Sequence, residues 1–231
     1  MALQPLKVER LYRQISNVLI KAIEEGQFKV GETLPSERDL AKMLGVGRSS
    51  IREALVALEI AGWVEIRTGN GVFVLRDEIP ENDYAADDTS VEDLIETREL
   101  LESEIARIAA RRRLPEQLDE LQVELNEMKR IGVDNDEFRQ HDYRFHMLIS
   151  EMTGNPVLRE LNEIIWKKRE GALHRRFESH YGNTESVAQL NIDHTAIYEA
   201  IAEQDAGRAR KMMQSHLENV RKRFFQGKQS K

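Results

Sequence analysis

Six histidines and no cysteine set the terms for metal chemistry in this 231-residue chain: every ligand must be His, Asp or Glu. In DNDEFRQHDYRFHMLISEM, Asp142 and His146 stand four residues apart, one helical turn, beside the apolar stripe Phe138, Phe145, Leu148, Ile149 and Met152. A carboxylate and an imidazole facing a protein interior need a partner that their own helix does not supply. Two more histidines lie in NIDHTAIYEAIAEQDAGRARKMMQSHLENV, which reads as two helices hinged near Asp205, whose side chain can cap the second. His194 precedes Asp205 by eleven residues and His216 follows it by eleven. At ~1.5 Å rise per residue each lies about 16 Å from the hinge, so antiparallel folding sets the two imidazoles level. Three histidines and one aspartate from three helices can then converge. Neutral imidazoles with one carboxylate suit a borderline divalent ion: Zn²⁺, Ni²⁺, Co²⁺ or Mn²⁺. The plainer alternative makes each histidine a separate hydrogen-bonded core residue, but the hinge symmetry and the i,i+4 pair favour a shared site. His141, His174 and His180 show no such geometry and read as surface or loop residues.

Composition narrows the setting in which these residues act. A 40% hydrophobic share with 32% charged residues describes an ordered globular protein. No apolar run approaches the ~20 residues that span a bilayer, and the first residues lack a signal peptide's apolar core, so a cytoplasmic protein without membrane partners is expected. The net charge of −7 looks wrong for a nucleic-acid binder until it is divided. Residues 1–76 carry 11 Lys/Arg against 9 Asp/Glu, whereas the remainder carries 23 against 32. Any DNA-facing part therefore belongs at the N-terminus.

The elements that must position these side chains follow from periodicity. VERLYRQISNVLIKAIEE puts Leu11, Ile15, Leu19 and Ile23 on one helical face, with Gly26 as a stop. A second helix opens at Ser36 as N-cap, with Asp39 three residues on and Leu40, Ala41 and Leu44 apolar. After Gly45 comes a third, with Ile51, Leu55, Leu58 and Ile60 apolar. WVEIRTGNGVFVL alternates on either side of a Gly-Asn-Gly turn and reads as a hairpin. The acidic, aperiodic RDEIPENDYAADDTS reads as a linker. Beyond it everything is helical in pattern: a long helix after a Ser90/Asp93 capping box, then 116–131, the Asp142/His146 helix, 157–177, 185–203 and 206–225. The expected protein is mostly α: a winged helix-turn-helix in 1–76, a linker in 77–90, and an antiparallel bundle of about six helices in 91–231.

In a winged helix-turn-helix the second helix of the pair enters the major groove with its N-terminal residues. Here these are Gly47, Arg48, Ser49, Ser50 and Arg52. Arginine can bond two guanine acceptors at once, and serine can meet a base or a phosphate. With Ile51 and Leu55 facing inward, the polar residues are expected to face out. The run GETLPSERDLA…GVGRSSIREALVALEIAGWVEIRTGNGVFV resembles the DNA-binding domain of the GntR family of bacterial transcription regulators across residues 8–75. The resemblance implies double-stranded operator DNA as partner and makes Arg38, Arg48, Ser49, Ser50, Arg52 and Gly69 its contacts. Gly47 departs from the family's usual Ser or Thr. It can cap the helix, but it has no hydroxyl to offer DNA.

ETRELLESEIARIAA, DYRFHMLI, DHTAIYEAIAEQD and MMQSHLENV resemble the FCD effector domain of the FadR-type subfamily. That resemblance implies an all-helical bundle holding a metal through Asp142, His146, His194 and His216, with a small organic acid beside it. It also makes Arg98 an effector contact, although an i,i+4 pair with Glu102 is nearly as natural. LLESEIARIAA and HLENVRKRF are most similar to repressors of hexuronate breakdown. The expected function is a homodimeric transcription regulator, a repressor, with a carboxylate or sugar-acid effector bound at the metal. A metal-dependent hydrolase with a DNA-binding head, a sensor of the metal ion itself and a bundle in which the ion is a purely structural staple remain the alternatives. No separate acid/base residue can be placed for the hydrolase, so no enzyme is expected.

Overall fold

The structure is a computed structural model, and it describes residues 9–77, 89–131, 136–181 and 187–225. By internal contacts the chain divides into two compact units: Met1–Val91 with Gly171–His180, and Glu92–Glu170 with Tyr181–Lys231.

In the first unit, α1 (Leu11–Glu24) buries Tyr12, Ile15, Leu19 and Ile23. The stripe thus runs through Tyr12, while Leu11, expected to share it, is exposed because the helix begins there and its first side chain overhangs the packed face. Gly26, at φ +75°, ends the run as expected. α2 (Glu37–Leu44) is capped by Ser36, whose oxygen accepts from the Asp39 N–H, and closes on left-handed Gly45. α3 (Arg48–Ile60) starts from extended Gly47, which caps it without a side chain. Ile51, Leu55 and Leu58 are fully buried, but Ile60 in the last turn is exposed. β1 (Val64–Arg67) and β2 (Gly71–Val74) form the expected antiparallel hairpin, in register Val64↔Val74 and Ile66↔Val72. Gly69, at φ +79°, makes the reversal that an L side chain would resist.

In the second unit, α4 (Val91–Arg112), α5 (Pro115–Ile131), α6 (Asp136–Glu151), α7 (Pro156–Lys168), α9 (Val187–Ala202) and α10 (Ala206–Phe225) pack around Ile105, Leu125, Phe145, Ile149, Ile201 and Leu217. The break between α6 and α7 uses left-handed Gly154 and Asn155, whose side chain accepts from the Val157 and Leu158 amides ahead of Pro156.

One sequence expectation fails here. The helix read over 157–177 stops at Lys168, and a separate helix, α8 (Ala172–Tyr181), begins after Gly171 and groups with the first unit. Glycine supplies the joint, and the apolar periodicity that continues across it concealed the change of partner. Most of the expected 77–90 linker lies outside the described residues. No helix among the described residues is long and apolar enough to cross a membrane.

Candidate functional site

α6 delivers Asp142 and His146 to the bundle interior, one turn apart as their spacing requires. The α9–α10 hairpin delivers the other two imidazoles. Asp205 accepts from the Arg208 N–H at 2.9 Å and so caps α10, while Gln204 takes the positive φ of 56° that reverses the chain. With the hinge placed there, the rings of His194 and His216 come to 4.6 Å between centroids. His146 lies 5.6 Å from the first and 5.5 Å from the second. One ring nitrogen from each histidine falls within 4.8 Å of the others, and all three side chains are buried. Asp142 Oδ1 stands 3.2 Å from His194 Nε2 and 3.6 Å from His146 Nε2. The four residues singled out in the sequence therefore meet at one place. That donor set suits a divalent ion: neither ring nitrogen of His146 or of His194 makes a well-directed hydrogen bond, an arrangement a buried imidazole rarely keeps without a ligand.

The carboxylates behind the rings were not foreseen in this role. His146 Nδ1 stands 2.5 Å from Glu102 Oε2, and His216 Nδ1 lies 3.6 Å from Asp193 Oδ2. A carboxylate behind a ligating imidazole fixes its tautomer and raises its basicity, leaving the opposite nitrogen for the metal. Asp193 also accepts from Gln189 and Asn219 at 2.7 and 3.0 Å, which holds it in place. Its sequence signal was faint: Gln189 precedes it at i−4, but its neighbour His194 drew attention to another face of the helix.

Glu102 is the centre of a second cluster. It accepts from Arg98 Nε at 2.7 Å and from Trp166 Nε1 at 3.1 Å. The Arg98 guanidinium lies 4.4 Å from the Trp166 ring, and that of Arg169 lies 4.3 Å from it. Arg169 in turn donates to Asp142 Oδ2 at 3.1 Å. Arg98 is thus a buried residue paired with Glu102, the i,i+4 alternative weighed in the sequence. Arg169 and Trp166 carried no motif and emerge only from packing.

These neighbours set the protonation states. Burial pushes the His216 pKa down to about 3 and lowers that of His194, so both rings are neutral and ready to ligate. Burial acts the same way on His146, but the charges of Glu102 and Asp142 outweigh it and raise its pKa. Burial opposes ionisation of Asp142, yet the His146 and His194 rings beside it and the charge of Arg169 hold its carboxyl well below the usual range.

The remaining histidines depart from the sequence reading. His174 is buried on α8 rather than exposed. His141 is half-buried with Nδ1 2.5 Å from Glu124 Oε2, and His180, also on α8, contacts Glu59. His141 lies on α6, and His174 and His180 lie on α8, whose buried face runs through Leu173 and Phe177.

On the candidate DNA-reading face Arg38 and Arg48 are exposed, Ser49 and Ser50 are half-buried at the start of α3, and Gly69 sits exposed at the wing tip. Arg52 corrects the expectation that these polar residues face out. It is only 5% exposed, and its Nε donates to Glu37 Oε2 at 2.8 Å, while Arg48 lies 3.4 Å from the same oxygen. Glu37 on α2 thus braces both arginines, and Arg52 follows the buried side of α3 that continues through Glu53 and Val56.

Comparison with known proteins agrees with this two-part layout. Residues 11–74 match the model of the bacterial regulatory proteins of the gntR family, and residues 93–219 match that of the FCD domain. The chain is 34% identical to the Uxu operon regulator of Haemophilus influenzae over 95% of its own length and 84% of the relative's. It is also 34% identical to the Uxu operon transcriptional regulator of Escherichia coli K12, over 94% and 88% of the two chains. Among solved structures, E. coli McbR/YncC shares the fold, with a TM-score of 0.52 at 20% identity over 95% of this chain and 99% of that one. The chain belongs to the GntR family of bacterial transcription regulators and carries an FCD effector domain behind its winged-helix head.

Proposed function

We propose that this regulator is a repressor whose grip on operator DNA is set by a sugar acid, a hexuronate or a close derivative, bound at a divalent metal in the FCD bundle. The observation that carries the reading is the convergence of Asp142, His146, His194 and His216 from α6, α9 and α10 on one buried point. These four side chains would hold Zn²⁺, Ni²⁺, Co²⁺ or Mn²⁺, and the ion would supply a Lewis-acidic seat for a carboxylate. Arg98 supports the effector beside it: its Nε–H is committed to Glu102, and a guanidinium has further donors for a carboxylate. The Uxu names of two relatives point to the same ligand class.

The reading head uses Arg38, Arg48, Ser49, Ser50, Arg52 and Gly69 on double-stranded DNA, with Arg52 first leaving Glu37. One head reads few base pairs, so a homodimer on a two-fold operator follows. Val157, Leu161 and Ile164 leave an apolar stripe exposed along α7, at spacings of four and three residues, which a second copy can cover.

A thermal-shift screen of Zn²⁺- and Ni²⁺-loaded protein against hexuronates, aldonates and dicarboxylates tests the reading. A hexuronate should stabilise the metal-loaded wild type and leave the metal-stripped protein and His194→Ala unmoved. Stabilisation that survives metal removal would sink the metal-seated effector, and operator affinity responding to metal alone would make the ion itself the signal.

A further inference from the structure

A helix whose task is to read DNA has little use for buried carboxylates, yet α3 carries two. Glu53 is buried, and Glu59 is half-buried with its side chain only 6% exposed. Glu59, in the last turn, accepts from the Ile66 N–H of β1 at 2.9 Å, from Arg176 Nε at 2.8 Å and from His180 Nε2. It therefore ties the recognition helix to the wing and to α8 at the same time. Burial opposes its ionisation, but the bonds from Arg176, Ile66 and His180 prevail and lower its pKa. Glu53 accepts from the Ser90 hydroxyl at 3.0 Å.

The donors share a feature that the winged-helix motif does not require. Ser90 is the residue before α4, where the chain enters the FCD bundle, and α8 is the segment that departs from that bundle after α7. α8 is well seated: Leu173 and Phe177, one turn apart, are buried along with His174. Its start is also close in sequence to the candidate effector site. Only Glu170 and Gly171 separate Ala172 from Arg169, the arginine that donates to Asp142 and stacks on Trp166. Three peptide steps join the two, so the link can span at most about 11 Å.

We propose that α8 is a latch that passes the state of the metal and effector site to the reading head, gripping Glu59 with Arg176 and His180 so that movement of Arg169 repositions α3 and the wing together. This rests on the effector reading above for the identity of the signal, but not for the existence of the coupling. A carboxylate effector competes with Asp142 for Arg169, and the grip on Glu59 converts that competition into a change at the DNA-reading helix. Coupling of this kind needs a physical element that both sites bias, and α8 is that element.

Amide hydrogen exchange on the full chain tests it through a double-mutant cycle, with Arg169→Ala as the perturbation at the bundle and Arg176→Ala/His180→Ala as the broken latch. Arg169→Ala in the wild-type background should speed exchange in the last turn of α3 and in β1 by roughly threefold or more. With the latch broken these amides are already faster, and adding Arg169→Ala should change nothing further. No effect of Arg169→Ala on these amides, or effects that simply add, overturns the latch. Calorimetric Zn²⁺ titration separates the two readings, because the broken-latch variant keeps all four metal candidates and should bind Zn²⁺ within about threefold of wild type. Wild-type protein that binds no Zn²⁺ would remove the metal reading, while the exchange rates would still decide for or against the latch.

Discussion

Glu102→Gln separates what the buried carboxylate does for folding from what it does for the metal. Glu102 is 1% exposed, accepts from Arg98 Nε at 2.7 Å and Trp166 Nε1 at 3.1 Å, and stands 2.5 Å from His146 Nδ1. Glutamine keeps the shape but loses the charge, and its NH₂ faces a cluster of donors. The Arg98 cation, 3% exposed, would then face an uncharged amide beside the Trp166 ring. Breaking a buried pair by removing one charge costs about 3–5 kcal/mol. For a chain of this size that corresponds to roughly 6–20 °C in melting temperature. Loss of the carboxylate behind His146 should independently weaken metal binding by about 10- to 100-fold. Thermal melts in EDTA and calorimetric Ni²⁺ titrations read the two effects separately. Arg98→Met in the same chain removes the stranded cation, so the double variant should regain most of the lost melting temperature and none of the lost metal affinity. A single variant that melts within about 2 °C of wild type would refute the claim that Arg98 depends on this carboxylate. Undiminished Ni²⁺ affinity would refute the claim that Glu102 orients His146.

Two further outcomes are expected. Arg48→Ala should weaken operator binding and relax sequence preference by about 1–3 kcal/mol while leaving the melting temperature in place, since Arg48 is exposed; gel shifts against operator variants measure it. The metal-free protein should be most stable near pH 6.5 in urea melts run between pH 5 and 8. His216 and His194 have pKa values depressed below the unfolded value of 6.5, so below that pH only the unfolded chain gains protons there and stability falls. His216 alone accounts for about 2 kcal/mol of loss between pH 6.5 and 5. The raised pKa of His146 acts oppositely: its contribution is complete below 6.5 and is lost as pH rises through the folded value. Stability still climbing from pH 6.5 down to 5 would contradict the buried neutral state of His194 and His216.

Much of the Asp142, His146, His194 and His216 cluster was legible in the sequence because it depends on local periodicity and one hinge. Asp142 and His146 share a helix face by spacing alone, and Asp205 marks a hinge from which His194 and His216 are equidistant along the chain. Ser36, Gly45 and the Gly69 turn were equally readable, since caps and reversals are set by residues adjacent in sequence. The partners of these residues were not. Nothing local to Glu102 shows that His146 and Trp166 come to it across 44 and 64 positions of chain, and nothing near Arg52 shows that Glu37 draws it inward. The periodic run over 157–177 is the clearest case: an amphipathic pattern states that a face is buried, but not against which neighbour. Only the tertiary structure ends that helix at Lys168 and assigns the remainder, with Arg176 and His180, to the unit that reads DNA. The sequence determined which side chains line each rod, because that follows from bonds along the chain; which rods meet was decided by packing between residues that the chain keeps far apart.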